Sequence, residues 1–192
     1  MQYVIYYLEE QIPLGKLNMT FPQTTGQCPI YYNHYSSGRP SISSNYRFTS
    51  RYQDIADEPL YPFGYGLSYS KFEYSNLSLN KTIITSKQND SINVSVTIKN
   101  NSSIPGFEIV QLYIQDLFGT VVRPVKELKD FQKVFFREYE EKTISFLINL
   151  EMLKFFNNDL KYIAEPGEFK VYVGKNSVQN LQASFYYKNN CS

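Results

Sequence analysis

The strongest constraint on the fold is a period-two alternation of apolar side chains that recurs through the second half of the chain. Positions 92, 94, 96 and 98 hold isoleucine or valine, and polar residues separate them. Successive side chains of an extended strand point to opposite faces, so this period predicts strands with one buried face. Five segments share the pattern: 91–99, 110–115, 144–148, 169–173 and 181–187.

Weaker strand candidates at 72–79, 128–136 and 160–163 bring the predicted total to about eight. Short strands separated by Asn, Asp, Gly and Pro turns are typical of an immunoglobulin/fibronectin type III-like antiparallel β-sandwich, so the fold class is predicted to be mainly β. Residues 150–156 are predicted to form one or two helical turns. Residues 123–126, Arg-Pro-Val-Lys, are predicted to begin a strand, with their charges facing a neighbouring domain or water.

The first part of the chain has a different pattern. Residues 14–69 contain glycine or proline every few positions and show little periodicity. Such a segment rarely folds alone, because it cannot bury enough apolar area to offset its ordering entropy. We therefore expect residues 1–69, called the leader below, to wrap around something absent from this chain. The sandwich domain is predicted at residues 70–188.

Composition and charge exclude several classes of function. The formal net charge is +1, and the basic residues are scattered, so no basic stripe indicates a nucleic-acid or membrane-surface partner. His34 is the only histidine, which excludes a histidine-rich metal site. Cys28 and Cys191 lie far apart in sequence and are expected to be unpaired, with a disulfide between them as the alternative. No apolar run reaches membrane-spanning length, and residues 1–8 lack the basic start of an export signal.

Seven strings occur in a fixed order along the chain. The leader holds Gly-Lys-Leu-Asn-Met-Thr-Phe-Pro at 15–22, Gly-Gln-Cys-Pro-Ile-Tyr-Tyr-Asn-His at 26–34, Ser-Gly-Arg-Pro at 37–40 and Leu-Tyr-Pro-Phe-Gly-Tyr-Gly-Leu-Ser-Tyr at 60–69. The sandwich region holds three more, at 121–131, 153–155 and 162–174.

Together these strings resemble the C-terminal part of family 3 glycoside hydrolases of the periplasmic β-glucosidase type. The leader strings resemble a remnant of that family's α/β-sandwich domain and linker, and the later strings its fibronectin type III-like domain. The resemblance covers roughly residues 15–187 and implies a periplasmic or extracytoplasmic location. Three positions depart from the family pattern: Asn18 replaces a usual proline, Cys28 an aliphatic residue and Asp130 a glycine.

The resemblance implies retaining hydrolysis of β-glycosides by two carboxylates about 5 Å apart, which needs no cofactor. In the family, the nucleophilic aspartate lies in a barrel domain, and the acid/base lies upstream of the segment that matches Gly15. No residue of this chain matches either motif, so no catalytic residue is predicted and catalysis by this chain alone is not expected. The acidic clusters at 9–10, 57–58 and 138–141 are interpreted as solvated turns or charged edges rather than catalytic pairs.

Five leader residues are candidates for interdomain or substrate-cleft contacts. His34 is interpreted first as a structural hydrogen-bonding residue in a loop. Arg39 is predicted to pair with a carboxylate of another domain rather than to contact sugar directly, because a guanidinium binds carboxylates through two bonds. Phe63, Tyr65 and Tyr69 form an aromatic loop that either anchors the linker, the preferred interpretation, or stacks on a sugar.

Three hypotheses of function follow. In the first, the chain is a structural module that packs against the family's barrel and α/β domains, in trans if those domains are encoded separately. In the second, it is a free-standing sandwich that binds carbohydrate or another protein, since such folds host many functions. In the third, it is a relic of a split gene whose leader exposes apolar surface and aggregates.

Overall fold

The alternating segments form strands in the computed structural model, which describes residues 15–36, 49, 51–52 and 54–189. These described residues contain two short 3₁₀-helices, Thr25–Gln27 and Leu150–Leu153. They also contain ten strands: β1 (Phe72–Leu79), β2 (Ile83–Thr85), β3 (Ser91–Asn100), β4 (Gly106–Asp116), β5 (Glu127–Phe136), β6 (Glu141–Asn149), β7 (Phe155–Phe156), β8 (Tyr162–Ile163), β9 (Gly167–Gly174) and β10 (Asn180–Lys188).

The strands form two main sheets that face each other. One has the order β1-β3-β6 and the other the order β2-β10-β9-β4-β5, while β7 and β8 form a separate hairpin. All pairs are antiparallel except β2 with β10, where Ile83 lies beside Tyr186 in a parallel register. The predicted mainly β sandwich is confirmed.

The core lies between the sheets and follows the period-two prediction. In β3, all four apolar residues from Ile92 to Ile98 are fully buried. They share one hydrophobic cluster with Val110 and Leu112 of β4 and with Phe169 and Phe185 of β9 and β10. The rings of Phe169 and Phe185 stack with their centroids 5.5 Å apart.

Strand β4 is buried on both faces, which its alternation does not predict. Val110 and Leu112 face the core, whereas Gln111 and Tyr113 lie on the opposite face and are also buried. Two-sided burial requires a second layer over the five-stranded sheet, and the leader supplies that layer.

Several local predictions differ from the structure. Strand β2 and the short β7 were not predicted, and the candidate strand at 160–163 reduces to Tyr162–Ile163. The predicted helical turns stop at Leu153, because the chain then extends to pair Phe155 with Ile163.

The prediction for residues 123–126 is wrong. Strand β5 begins only at Glu127, and the two charges before it face this chain rather than a neighbouring domain or water. The guanidinium of Arg123 lies 4.2 Å from the ring centroid of Phe155 and 3.6 Å from a carboxylate oxygen of Asp116. Lys126 Nζ lies 4.3 Å from the ring centroid of Tyr172. Arg123 also donates to Glu127 over 3.1 Å, a partner four residues away, whereas the aromatic partners Phe155 and Tyr172 come from distant strands that the local sequence does not reveal.

No helix in the described part of the chain combines the length and apolar character needed to span a membrane.

Replacement of Phe185 tests the stacked pair at the centre of the core. Phe185→Ala leaves a cavity against Phe169, and we expect the free energy of unfolding to fall by about 3–5 kcal/mol in urea titrations. The matched control is Phe156→Ala, because Phe156 is 64% exposed and its loss should change stability by about 0.5 kcal/mol or less. Equal effects of the two substitutions would contradict the assignment of the core.

Candidate functional site

Backbone pairing joins two of the described stretches of the leader. The N–H of Leu17 donates to the carbonyl of Tyr65 over 2.7 Å, and the N–H of Gly64 donates to the carbonyl of Leu17 over 2.8 Å. Further along, Phe21 and Tyr61 exchange two backbone hydrogen bonds of 2.8 and 3.3 Å. These bonds place residues 15–22 beside residues 60–66. The two paired segments, called the double layer below, lie together against the sandwich.

The side chain of Gln111 joins this double layer to the sandwich. Its Nε2 donates to the carbonyl of Gly64 over 3.1 Å and to the carbonyl of Lys175 over 2.8 Å. Its Oε1 accepts a hydrogen bond from the hydroxyl of Tyr113. Both amide protons and the amide oxygen are therefore used, which a buried amide needs if its desolvation is to be offset.

Aromatic rings also pack at this junction between the leader and the sandwich. Phe63 stacks on Tyr32 with a centroid distance of 4.2 Å, and the edge of Tyr32 meets Tyr113 at 5.7 Å. The Tyr32 hydroxyl accepts the N–H of Leu128 over 3.2 Å, and the Phe63 carbonyl accepts the N–H of Ser177 over 3.0 Å. Aromatic burial of this kind contributes both apolar area and geometric specificity.

The predicted site residues do not all meet. Phe63 lies in the junction, and Tyr65 packs near Tyr61 at 5.0 Å, outside the Tyr32 stack. His34 is exposed; its carbonyl accepts the N–H of Val125 over 2.9 Å, and its Nδ1 donates to the carbonyl of Tyr35 over 3.0 Å.

Other sequence predictions fall partly outside the described residues. Tyr69 is about one-third exposed. Arg39 lies outside the described residues, and so does Cys191, whereas Cys28 is described and exposed. The predicted role of Arg39 and the pairing of Cys191 therefore stay predictions.

A groove of about 330 Å³ opens where the leader meets the start of β5 and the loop between β9 and β10. Its lining brings His34 together with residues that sequence reasoning did not connect: Tyr31, Tyr32, Asp57, Lys126 and Ser177. Lys126 Nζ donates to the carbonyl of Ser177 over 2.9 Å. Burial lowers the pKa of the Lys126 ammonium group below its ordinary value.

Sequence reasoning also missed a buried carboxylate, Glu108. It accepts the hydroxyl of Tyr74 over 3.0 Å and pairs with Lys16 Nζ at 3.4 Å. Burial raises the pKa of Glu108, although Lys16 and the Tyr74 hydrogen bond oppose that rise. The sequence contained a signal for this burial, because Glu108 lies two residues before Val110 and four before Leu112, on the same face of the strand.

The Glu108 cluster joins the leader to the sandwich rather than resembling a hydrolytic site. Its hydrogen-bonding partners are a lysine of the leader and a tyrosine of β1, and retaining hydrolysis instead uses a second carboxylate about 5 Å away. Among the described residues, no group of three or more His, Cys, Asp or Glu side chains is placed to hold a metal ion.

Comparison with known proteins gives both the domain type and close relatives. The family model described as a fibronectin type III-like domain matches residues 108–177, a stretch inside the predicted sandwich domain; the boundary between residues 69 and 70 stays a prediction. The chain is 44% identical to a periplasmic β-glucosidase of Salmonella typhimurium over 174 residues, which cover 90% of this chain and 22% of that protein. It is 43% identical to a putative β-xylosidase of Formosa agariphila, over 93% of this chain and 22% of the relative.

Solved structures agree with the sequence comparison. The crystal structure of a β-glucosidase from Listeria innocua superposes with a TM-score of 0.90 at 43% identity. The match covers 98% of this chain and 26% of that enzyme. The chain therefore spans only about a fifth to a quarter of the length of these relatives.

Glycine at position 64 is expected to be essential for the junction. Its φ is +78°, and an added Cβ would overlap the side chain of Gln111. We expect Gly64→Ala to lower the free energy of unfolding by about 1–2 kcal/mol or more and to speed proteolysis within the leader. Gly15→Ala is the control, because no atom lies within 4 Å of its added Cβ. Unchanged proteolysis of Gly64→Ala would contradict the proposed close approach.

The Glu108 cluster predicts an unusual dependence of stability on pH. A carboxyl whose pKa is raised by folding stabilises the fold fully below its unfolded pKa of about 4.3, and this contribution is lost as the pH rises through the raised value. We therefore expect Glu108→Gln to have a higher urea midpoint than the native chain at pH 7.5, with the difference shrinking towards pH 4. Glu138→Gln, at an exposed site, serves as the control. A lower midpoint for Glu108→Gln at pH 7.5 would contradict this sign.

Proposed function

Because this chain belongs to the family 3 glycoside hydrolases, in which it corresponds to the C-terminal part with the fibronectin type III-like domain, we propose that it is a structural module of a β-glucosidase-like hydrolase. In this role it braces a catalytic part and supplies no catalytic carboxylate of its own. The relatives are named β-glucosidase and β-xylosidase, so the proposed substrates of the assembled enzyme are β-linked glucosides or xylosides.

The observation that carries this proposal is the two-sided character of the leader. One side is fixed to the sandwich through Gln111 and Phe63. Elsewhere the leader exposes large apolar side chains, each at least two-fifths accessible, which we call the exposed apolar set: Met19, Phe21, Leu60, Tyr61 and Leu67. Apolar side chains exposed together are typical of interaction surfaces.

The partner proposed for the exposed apolar set is the remainder of such a hydrolase. The match covers 22% and 26% of the relatives, so 78% and 74% of their residues lie outside it. The proposed partner comprises the family's barrel and α/β domains, present in the same polypeptide or joined in trans. An extracytoplasmic location is part of the proposal, supported by the periplasmic relative.

The proposal is tested by complementation. The Listeria innocua β-glucosidase is produced without the segment that this chain matches, and its hydrolysis of a chromogenic β-glucoside is measured before and after addition of this chain. We expect the two polypeptides to co-elute in gel filtration and activity to appear. The enzyme's own removed segment, added separately, is the positive control.

Substitutions locate the contact. Phe21→Ser with Tyr61→Ser should weaken the restored activity at limiting concentration by at least about tenfold, as expected for buried aromatic anchors of an interface. Phe156→Ser is the matched control, since that ring is also exposed but lies on β7 outside the leader. If the positive control restores activity and this chain neither restores it nor co-elutes, the structural-module proposal fails.

A further inference from the structure

The groove contains a half-buried cation, Lys126, whose ammonium group lies over the ring of Tyr172. Lys126 forms no ion pair with a carboxylate of the part of the chain that the structure describes. Its ammonium group has three N–H donors, and one of them is taken by the carbonyl of Ser177. A half-buried charge with unused donors is costly to retain, so an acceptor from a ligand would improve the site.

The same groove also offers hydrogen-bond acceptors. Asp57 lines it, and its Oδ1 accepts the N–H of Tyr52 over 2.9 Å. A carboxylate has two oxygens and about four acceptor positions, so Asp57 has spare capacity. A small anion would pair with Lys126 but be repelled by Asp57. A small cation would pair with Asp57 but be repelled by Lys126. A neutral molecule that both donates and accepts suits the pair best.

Tyr31 gives the groove an aromatic face. Its side chain is 48% exposed, whereas the neighbouring Tyr32 is already stacked on Phe63. Pro59 and Pro62 add apolar wall. Ligand sites in proteins are typically concave and mostly apolar, with a few polar groups that fix orientation. A ring with one apolar C–H face and a rim of hydroxyl groups fits this arrangement.

From these features we propose that the groove is a binding site for a neutral saccharide of one or two sugar units. Its volume of about 330 Å³ lies at the small end of the range of about 300–1,000 Å³ usual for ligand pockets. The ring of Tyr31 stacks on the apolar face of the sugar, Lys126 donates to one hydroxyl and Asp57 accepts from another. This site goes beyond the structural role proposed above and does not depend on it, because every residue it uses lies in this chain.

The site is tested on the intact chain by NMR titration with laminaribiose, cellobiose and xylobiose, chosen as β-linked glucose and xylose disaccharides. We expect saturable binding of at least one of them. Tyr31→Ala and Lys126→Met should each weaken it by about tenfold or more, the loss expected when a stacking face or a charged hydrogen-bond donor is removed. The methionine keeps the length of the lysine stem against Tyr172.

Matched controls separate binding from folding. Tyr162→Ala removes a tyrosine of similar exposure, 46%, from the β7–β8 hairpin, and Lys161→Met removes an exposed lysine from the same hairpin. Both should bind as the native chain does, and circular dichroism melts should be similar for all four variants. Since only this chain is present, failure of complementation with a catalytic part would leave the result intact.

Three outcomes would overturn the proposal. The first is an absence of saturable shifts with all three disaccharides up to their solubility limits. The second is saccharide binding that Tyr31→Ala leaves unchanged. The third is salt-sensitive binding of succinate or of a short glutamate peptide that displaces the sugars, which would identify the groove as an anion site.

Discussion

The buried amide of Gln111 is the interaction on which the arrangement of the molecule depends. It bonds at once to Gly64 of the leader, to Lys175 after β9 and to Tyr113 on its own strand. An unpaired buried amide is costly, so the three partners are held in a fixed relation. That relation fixes Gly64 of the leader against the sandwich, and nearby Ser177, whose N–H donates to the Phe63 carbonyl, lines the groove.

The described part of the leader is held in place because it packs on one face of the sandwich. Residues 15–22 and 60–66 pair through their backbones, but their own apolar area is too small to offset the entropy of ordering them. Phe63 and Tyr32 supply that area against Tyr113, so β4 is covered on both faces where the leader packs on it. The sheet and the described part of the leader therefore stabilise each other, while the exposed apolar set is left accessible.

The buried charged groups of Glu108 and Lys126 also depend on partners that are distant in the sequence. Glu108 is buried in β4 because Tyr74 and the leader's Lys16 supply hydrogen bonds. Lys126 is half-buried against Tyr172, and its ammonium group donates a hydrogen bond to the carbonyl of Ser177. The carboxylate of Glu108 thus helps to hold the leader against the sandwich. The ammonium group of Lys126 instead keeps N–H donors that no described residue accepts. This difference is why the ligand is proposed to bind in the groove rather than at the Glu108 cluster.

The sequence by itself determined the sandwich, because the apolar period of β3 from Ile92 to Ile98 is local and demands one buried face. It also identified the family through ordered strings, and it singled out Phe63 and His34. Only the tertiary structure decided that Gln111 is buried, that Glu108 meets Lys16, and that Lys126 shares a groove with the leader. Gln111 and Gly64 lie 47 positions apart and Glu108 and Lys16 lie 92 apart, and a polar side chain's burial depends on which distant partner covers it.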